Sequence, residues 1–177
     1  MHEVWVGHTA ELGRGGVRAI RELLEEAFAE DFAETDMEHS LGGVHVCVRE
    51  EGALVAHGAV VQRRLLHGGR ALRTGYVEGV AVRADRRRRG YGGVVLAEVE
   101  RVVRAAYDLG ALGSTDAGVP FYTSRGWRVW RGPTYALTPE GVVRTPEDDG
   151  GVFVLPGDVP LDLDAPLTCD WRDGDVW

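Results

Sequence analysis

The chain contains no lysine, because all twenty of its basic residues are arginine. Arginine stays protonated at any useful pH, so mechanisms that depend on a lysine Schiff base or a lysine general base are excluded. Only two cysteines are present, Cys47 and Cys169, and neither has a His or Cys neighbour at the spacing of metal ligands. A disulfide or a zinc site is therefore unsupported, and Cys47, within the apolar segment VHVCV, is predicted to be a buried thiol.

Long apolar runs are also missing. No stretch approaches the roughly 18 apolar residues that a membrane-spanning helix needs, so no membrane contact is expected. The first 16 residues lack the apolar core of a signal peptide, which leads us to expect a cytoplasmic protein. The 177 residues fit one domain, 1–177, and the proportions of 44% hydrophobic and 27% charged residues are those of an ordinary globular protein.

Acidic residues dominate the end of the chain. Residues 147–177 hold nine Asp or Glu and one arginine, Arg172, an excess that equals the net charge of −8. Acidic tails are often solvated or disordered, but the interleaved Trp171, Val176 and Trp177 favour an ordered wall. Such a wall indicates a polycationic partner, because carboxylates form charge-assisted hydrogen bonds with ammonium groups. Nucleic acid is not expected, since duplex-binding proteins are normally basic.

The most informative segment is residues 76–93, YVEGVAVRADRRRRGYGG. A β-rich apolar run leads into four arginines, a glycine-rich turn and an amphipathic helix, which together predict a pyrophosphate site. Glycines let backbone N–H groups approach an anion, and the helix N-terminus and the arginines add positive charge. There are two alternatives. The arginine run could be a solvated basic surface, and the glycines could form a hairpin turn like the one predicted at Gly68-Gly69. The helix that follows favours the anion site.

Hydrophobic periodicity predicts a chain of the α+β class. Gly79 is expected to introduce a bulge that splays the strands, and Thr35 has the position of the first residue of a capping box. The predicted strands are residues 4–6, 44–48, 53–61, 65–66, 72–82, 111–112, 127–130, 135–137 and 152–155. The predicted helices are residues 17–28, a short helix from 35, 94–109 and 119–124.

The motif RRRGYG at residues 87–92 resembles the Arg/Gln-x-x-Gly-x-Gly/Ala signature of the GCN5-related N-acetyltransferases. The order of the predicted elements is also that of this family. The resemblance implies a mixed, largely antiparallel central sheet that is flanked by helices and splayed at the acetyl-coenzyme A site. It implies no metal, and it places the co-substrate acetyl-coenzyme A on Val80, Ala81, Val82, Arg87, Arg88, Arg89, Gly90, Tyr91, Gly92 and Gly93.

A more specific resemblance covers nearly the whole chain. Residues 31–43, 75–87, 121–127, 144–156 and 167–177 are similar to the actinobacterial aminoglycoside 2′-N-acetyltransferases. The resemblance implies a homodimeric enzyme that acetylates the 2′-amine of a polycationic aminoglycoside antibiotic. It implies a pocket formed by Asp31, Asp36, Glu78, Ser114, Asp148, Asp175 and the terminal carboxylate of Trp177. At position 113 the family has a hydroxyl and this chain has glycine, so Ser114 is a candidate replacement.

Two side chains have the chemistry of acid–base catalysts. Glu78 lies in an apolar run, where a buried carboxylate is costly without a function, and it is the candidate base. The alternative is an alternating strand in which Glu78 faces solvent. Tyr122, with a phenol pKa of about 10, is the candidate acid for the coenzyme A thiolate. Alone it would suggest a core residue, but the surrounding FYTSRGW resembles a segment of the family. By resemblance, the N–H of Val80 polarises the thioester and Glu78 acts through water.

Two further functions stay open at this point. One is acetylation of another cellular amine, such as a cell-wall or thiol-pathway intermediate or a protein N-terminus; the other is a catalytically inactive acyl-coenzyme A sensor. The pairing of Glu78 with Tyr122 argues against the sensor, and the acidic tail argues against a broad protein acetylase. Four histidines are scattered without metal spacing and are interpreted as structural or surface residues: His39, His45, His57 and His67.

Overall fold

A computed structural model describes all 177 residues, Met1–Trp177. It has the predicted α+β character, with ten strands and four α-helices. None of these helices combines the length and the apolar character that crossing a membrane requires. The strands are β1 (His2–His8), β2 (Val44–Glu50), β3 (Ala53–His67), β4 (Arg70–Val82), β5 (Leu109–Gly113), β6 (Arg128–Val129), β7 (Thr134–Thr138), β8 (Gly141–Arg144), β9 (Val152–Pro156) and β10 (Leu167–Cys169). The helices are α1 (Thr9–Phe28), α2 (Glu34–Ser40), α3 (Tyr91–Ala106) and α4 (Val119–Ser124).

Several boundaries differ from the sequence-based expectations. Strand β3 is one continuous strand of 15 residues, and α3 begins at Tyr91 rather than at residue 94. Strands β8 and β10 were not predicted. The capping box at Thr35 is wrong, because Thr35 lies inside α2 and the helix is capped from Ala33, whose N–H donates to Asp36 Oδ2 at 2.8 Å. Alanine has no polar side-chain atom, so the only side-chain hydrogen bond of this cap is the one that Asp36 accepts.

The chain forms two compact units. The first comprises Met1–Val61 and Val77–Val102, and the second comprises Gln62–Tyr76 and Val103–Trp177. Strands β3 and β4 contribute residues to both units. The single domain over residues 1–177 stays a prediction.

In the first unit, β2 pairs antiparallel with β1 and with β3. One face of these strands is covered by α1 and α2, whose apolar residues form a core with Cys47, as predicted for that thiol. Helix α3 packs closely at Gly58, where an added Cβ would lie 2.7 Å from Val95 Cγ1. The buried residues of this core are Ile20, Leu23, Leu24, Met37, Cys47, Leu54 and Ala81.

In the second unit, the strands follow the order β6-β9-β5-β4-β3-β10-β7-β8. The pairs β4–β5 and β10–β7 are parallel, and the pairs of β9 with β5 and β6 are antiparallel. Gly68 and Gly69 both have positive φ, 56° and 76°, as expected for the predicted hairpin turn. The β4–β5 ladder ends at Tyr76 and Ala111, although β4 runs on to Val82. This early end of the ladder is the splaying expected of the family.

Two histidines are completely buried in the first unit, His45 on β2 and His57 on β3. In the β2–β3 register, His45 lies opposite Ala59 and Cys47 lies opposite His57, so the two histidines are diagonal neighbours on one face. Burial lowers the pKa of His57 to about 3, with His45 as the next cause, and lowers the pKa of His45 to about 4. Both imidazoles are therefore neutral near pH 7.

These pKa values predict that acid weakens the fold before most carboxylates titrate. A histidine with a pKa near 6.5 when unfolded takes up protons on unfolding, so the stabilisation is present above pH 6.5 and is lost as the pH falls. We expect the free energy of unfolding to fall by about 2 kcal/mol between pH 7 and pH 5.5 from this pair. Urea unfolding of the wild type and of the His45→Asn/His57→Asn variant at both pH values measures this fall in the free energy of unfolding. An equal loss in both proteins would contradict the assignment.

Candidate active site

The backbone of β4 changes conformation at Gly79. Gly79 has a φ of 57°, a region that suits glycine, and an added Cβ would lie 2.9 Å from Ser40 Oγ and 3.3 Å from Leu24 Cδ1. Glycine is therefore required both by the dihedral angle and by the packing of α1 and α2. The neighbouring Glu78 and Val80 are half-buried, which places the candidate base and the candidate thioester-polarising N–H on either side of this point.

The carbonyl of Gly79 accepts a hydrogen bond from a side chain. His57 Nδ1 lies 2.7 Å from this oxygen, and His57 Nε2 lies 2.9 Å from His45 Nδ1. His45 Nε2 lies 2.7 Å from Thr9 Oγ1, which in turn accepts from the N–H of Gly42 at 2.9 Å. A buried polar chain thus joins the start of α1 to the peptide between the two site residues of β4. Sequence analysis missed it, having interpreted both histidines as structural or surface residues.

The predicted pyrophosphate loop connects β4 to α3. The N–H of Arg83 donates to Val55 O at 2.9 Å, which keeps the end of β4 on β3. Arg88 and Gly90 then have positive φ of 64° and 87°, and Val94 N donates to Gly90 O at 3.1 Å as the first turn of α3 forms. An added Cβ at Gly90 would meet nothing within 4 Å, so the space above the turn is open. Free N–H groups at the start of a 16-residue helix suit an anion.

The arginines of this loop divide into two groups. Arg83 pairs with Asp85 at 2.7 Å, and Arg86 pairs with Glu50 at 2.6 Å. Tyr91 Oη also donates to Glu50, at 2.7 Å. The hydrogen bond from Tyr91 is the largest cause of a lowered pKa of Glu50, and the hydrogen bond from Arg86 is the next. These contacts fix the loop. The exposed group consists of Arg87, Arg88 and Arg89.

The exposed arginines and the turn fit a diphosphate group. Arg87 Nε donates to Val82 O at 3.3 Å, which leaves both terminal guanidinium nitrogens of Arg87 for a ligand. Tyr91 differs from its neighbours, because its hydroxyl is used by Glu50 and its ring is buried against His2. Any contribution of Tyr91 to coenzyme binding would therefore come from its backbone. The half-buried Gly92 and Gly93 complete the turn.

Tyr122, the candidate acid, lies on α4 in the second unit. Its ring is half-buried, with an edge-on contact to Trp127 at 6.0 Å between centroids. Its carbonyl accepts from the N–H groups of Arg125 and Trp127, which fixes the end of the helix. Burial raises the pKa of Tyr122 to about 12, so the phenol is fully protonated near pH 7. A phenol of this pKa is suited to donate a hydrogen bond to a developing thiolate rather than to ionise beforehand.

Three of the predicted substrate carboxylates lie together in the second unit. The buried indole of Trp177 donates to Thr145 Oγ1 at 3.0 Å, and the backbone N–H of Trp177 donates to Asp175 Oδ1 at 3.2 Å. Arg172 donates to the carbonyl of Asp175 at 2.7 Å and to Trp177 O at 3.1 Å. The chain end is therefore ordered, as the interleaved tryptophans predicted, and sequence analysis missed the arginine that holds it.

Asp148 belongs to the same cluster. Partial burial raises the pKa of Asp148, and the next causes are the charges of Asp175 and Glu147. Repulsion between neighbouring carboxylates is relieved when a cation binds, so the cluster favours an ammonium group. Gly113 also lies here, since an added Cβ would be 3.6 Å from the terminal carboxyl carbon of Trp177.

The other predicted substrate residues lie on three separate segments of the chain. Asp31 is exposed in a short 3-10 helix, Ala29–Asp31, and Asp36 accepts the N–H of Ala33 in the cap of α2. Ser114 donates its hydroxyl to Thr115 O at 2.9 Å, so this hydroxyl is already engaged. No group of three or more His, Cys, Asp or Glu side chains is arranged to hold a metal ion.

Known proteins resemble this chain in sequence and in fold. The family described as Acetyltransferase (GNAT) domain matches residues 10–130. The aminoglycoside 2′-N-acetyltransferase of Mycolicibacterium fortuitum is 52% identical over 181 residues, which cover 100% of this chain and 93% of that protein.

Two solved structures share the fold at low sequence identity. Escherichia coli ElaA has a TM-score of 0.65 at 16% identity, over 88% of this chain and 99% of its own. The ribosomal-protein-S18-alanine N-acetyltransferase of Escherichia coli has a TM-score of 0.61 at 15% identity, over 92% and 97%. The chain therefore belongs to the GNAT acetyltransferase family and, within it, to the family of the aminoglycoside 2′-N-acetyltransferases.

Proposed function

We propose that the protein transfers the acetyl group of acetyl-coenzyme A to the 2′-amine of aminoglycoside antibiotics. The observation that carries this proposal is the cluster of Asp148, Asp175 and the Trp177 carboxylate, in a chain whose full-length relative is an aminoglycoside 2′-N-acetyltransferase. Aminoglycosides carry several ammonium groups, and this cluster offers the opposite charge. Residence in the cytoplasm, assembly as a homodimer and a role in antibiotic resistance stay predictions.

In this proposal the loop between β4 and α3 holds the co-substrate, which supplies an activated thioester. Arg87, Arg88 and Arg89 bind the phosphates together with the N–H groups of residues 90–93, and the α3 dipole adds to the attraction. The backbone of residues 80–82 binds the pantetheine arm, which brings the thioester oxygen to the N–H of Val80. A hydrogen bond at this oxygen strengthens as negative charge develops on it.

The remaining groups handle protons. The neutral amine attacks the thioester carbon, and its proton leaves through water to Glu78, which is half-buried beside Gly79. As the carbon–sulfur bond breaks, the sulfur takes up negative charge. Tyr122, protonated because its pKa is about 12, donates its hydrogen bond and then its proton to that sulfur. Proton balance is restored when the phenolate recovers a proton from solvent.

The phosphate loop is tested by placing a negative charge in it. Gly90→Asp adds a carboxylate at a residue with a φ of 87°, where it repels phosphate. We expect the dissociation constant of acetyl-coenzyme A, measured by calorimetry, to rise at least about ten-fold. Gly90→Asn is the matched control, because asparagine has the same shape, tolerates positive φ and is neutral. Equal affinities of the aspartate and asparagine variants would refute the placement.

The proton donor is tested by Tyr122→Phe. Removing the hydroxyl is expected to lower kcat by roughly ten- to a thousand-fold while both KM values change little, as for an interaction made mainly in the transition state. Steady-state kinetics with thiol detection measure this. Phe121→Tyr/Tyr122→Phe, which keeps one hydroxyl at the neighbouring position, controls for the loss of the phenol itself. Wild-type turnover in Tyr122→Phe would assign the acid role elsewhere.

The substrate is tested by charge and by regiochemistry. We expect Asp148→Asn/Asp175→Asn to raise KM for tobramycin by roughly ten- to a hundred-fold, the value of one or more charge-assisted bonds, with KM for acetyl-coenzyme A unchanged. Asp158→Asn is the control, because Asp158 is an exposed residue of the same acidic segment. We expect this variant to keep the wild-type KM for tobramycin.

Nuclear magnetic resonance of the product identifies the modified amine. Tobramycin should be acetylated at its 2′-amine, whereas kanamycin A, which has a 2′-hydroxyl, should not be N-acetylated at that position. Modification of kanamycin A at another amine would keep the acetyltransferase and overturn the regiochemistry.

A further inference from the structure

A buried hydrogen-bond chain ends on the peptide between Gly79 and Val80. Its links are Thr9 Oγ1 to His45 Nε2 at 2.7 Å, His45 Nδ1 to His57 Nε2 at 2.9 Å, and His57 Nδ1 to Gly79 O at 2.7 Å. Both imidazoles have zero exposed surface. None of the three side chains has a part in the mechanism proposed above.

The last acceptor, a carbonyl oxygen, determines which atom donates in each of these hydrogen bonds. A carbonyl oxygen only accepts, so the proton of the final bond is on His57 Nδ1. A neutral His57 then accepts at Nε2 from the Nδ1–H of His45, and a neutral His45 accepts at Nε2 from the hydroxyl of Thr9. Since burial lowers the pKa of both imidazoles to about 3 and about 4, one proton per ring is the state near pH 7. The single hydroxyl proton of Thr9 also has Gly43 O within reach at 3.3 Å, but the contact with His45 Nε2 is shorter, at 2.7 Å, so each link of this hydrogen-bond chain has one donor and one acceptor.

The carbonyl of Gly79 and the N–H of Val80 belong to one planar peptide group. The two bonds of a trans peptide point in opposite directions, so fixing the oxygen fixes the direction of the N–H. A hydrogen bond to the oxygen also polarises the amide and makes its N–H a stronger donor. The N–H of Val80, a half-buried residue, is the group proposed to polarise the thioester carbonyl, and the bond from His57 acts on the same peptide from its other side.

We propose that His57, held in its tautomer by His45 and Thr9, is a positioning residue that aims and strengthens the Val80 N–H toward the thioester oxygen. The proposal rests on the proposed role of that N–H in acetyl transfer. A glycine at 79 can adopt several backbone conformations, and the imidazole selects the one with a φ of 57°. The hydrogen bond from His57 stabilises this conformation, because without it the carbonyl of the half-buried Gly79 would lose this donor.

A matched comparison is available on the same strand. His67 is also buried on β3, lies 3.2 Å through Nδ1 from Pro166 O, and accepts the N–H of Asp162 at Nε2, likewise at 3.2 Å. It therefore has the same tautomer and the same kind of backbone acceptor, away from Gly79. If His57 only stabilised the fold, His57→Leu, like His67→Leu, would leave kcat per folded molecule unchanged.

The first test compares turnover. His57→Leu removes the donor, His57→Asn restores an N–H near the position of Nδ1, and His67→Leu is the control. With rates normalised to the folded fraction, we expect His57→Leu to lower kcat for tobramycin acetylation about ten- to a hundred-fold, less than full loss of an oxyanion donor. KM for acetyl-coenzyme A should change little. His57→Asn should recover most of kcat, and His67→Leu should keep it.

The second test needs no aminoglycoside. Infrared spectra of acetyl-coenzyme A labelled with ¹³C at the thioester carbonyl report the hydrogen bond to its oxygen in the binary complex. We expect the carbonyl stretch of the His57→Leu complex at a higher frequency than in the wild type, His57→Asn and His67→Leu. If the wild type fails to acetylate tobramycin but the carbonyl frequency still differs between the wild type and His57→Leu, the proposed substrate is wrong and the role of His57 stands. Unchanged frequency and kcat in His57→Leu would overturn the role of His57 alone.

Discussion

The peptide between Gly79 and Val80 is held in place by contacts from α1, α2 and β3 of the first unit. A strand that simply continued would place its N–H and C=O groups in the ladder, but a φ of 57° at Gly79 turns this peptide toward a side chain. The neighbours leave no room for a Cβ, so α1 and α2 pack against the glycine itself. Because β4 then leads directly into the predicted phosphate loop, this backbone feature lies beside the proposed base, the proposed thioester donor and the start of that loop.

Charge is separated along the chain in a way that matches the two oppositely charged substrates proposed for it. The first unit carries the exposed arginines 87–89 at the beginning of α3, while Arg83 and Arg86 are used for ion pairs that fix the loop. The second unit carries the carboxylates around Trp177, where Arg172 compensates part of the negative charge and the guanidinium also lies 5.3 Å from the centre of the Tyr76 ring. This contact offsets part of the repulsion among the acidic residues at the end of the chain.

The fold class, the glycine turn between β4 and α3 and the hairpin at Gly68-Gly69 were predictable because each depends on a local signal. A glycine pair between two apolar runs and a glycine turn before an amphipathic helix have few structural solutions. The edge strand β8 was missed because Val142 and Val143 are adjacent and both exposed, which erases the alternation of a strand. The three residues of β10 are too few to show any period, and their pairing with β3 and β7 joins segments distant in the chain.

The polar chain behind β4 could not be read from local patterns. His45 and His57 are 12 residues apart, and only the β2–β3 register brings them to diagonal positions. The available signal was a single histidine within each of the apolar segments VHV and AHG, where a buried polar side chain requires a partner. In the same way, the anchoring of the chain end by Arg172 and Thr145 depends on tertiary contacts, although the interleaved tryptophans indicated an ordered tail.

The most direct test of this account is a crystal structure with an acetyl-coenzyme A analogue in which a ketone replaces the thioester. The account predicts the carbonyl oxygen about 2.7 to 3.1 Å from the Val80 nitrogen, with the bond from His57 Nδ1 to Gly79 O retained. A carbonyl oxygen bound by another donor, or more than about 3.5 Å from the Val80 nitrogen, would contradict it.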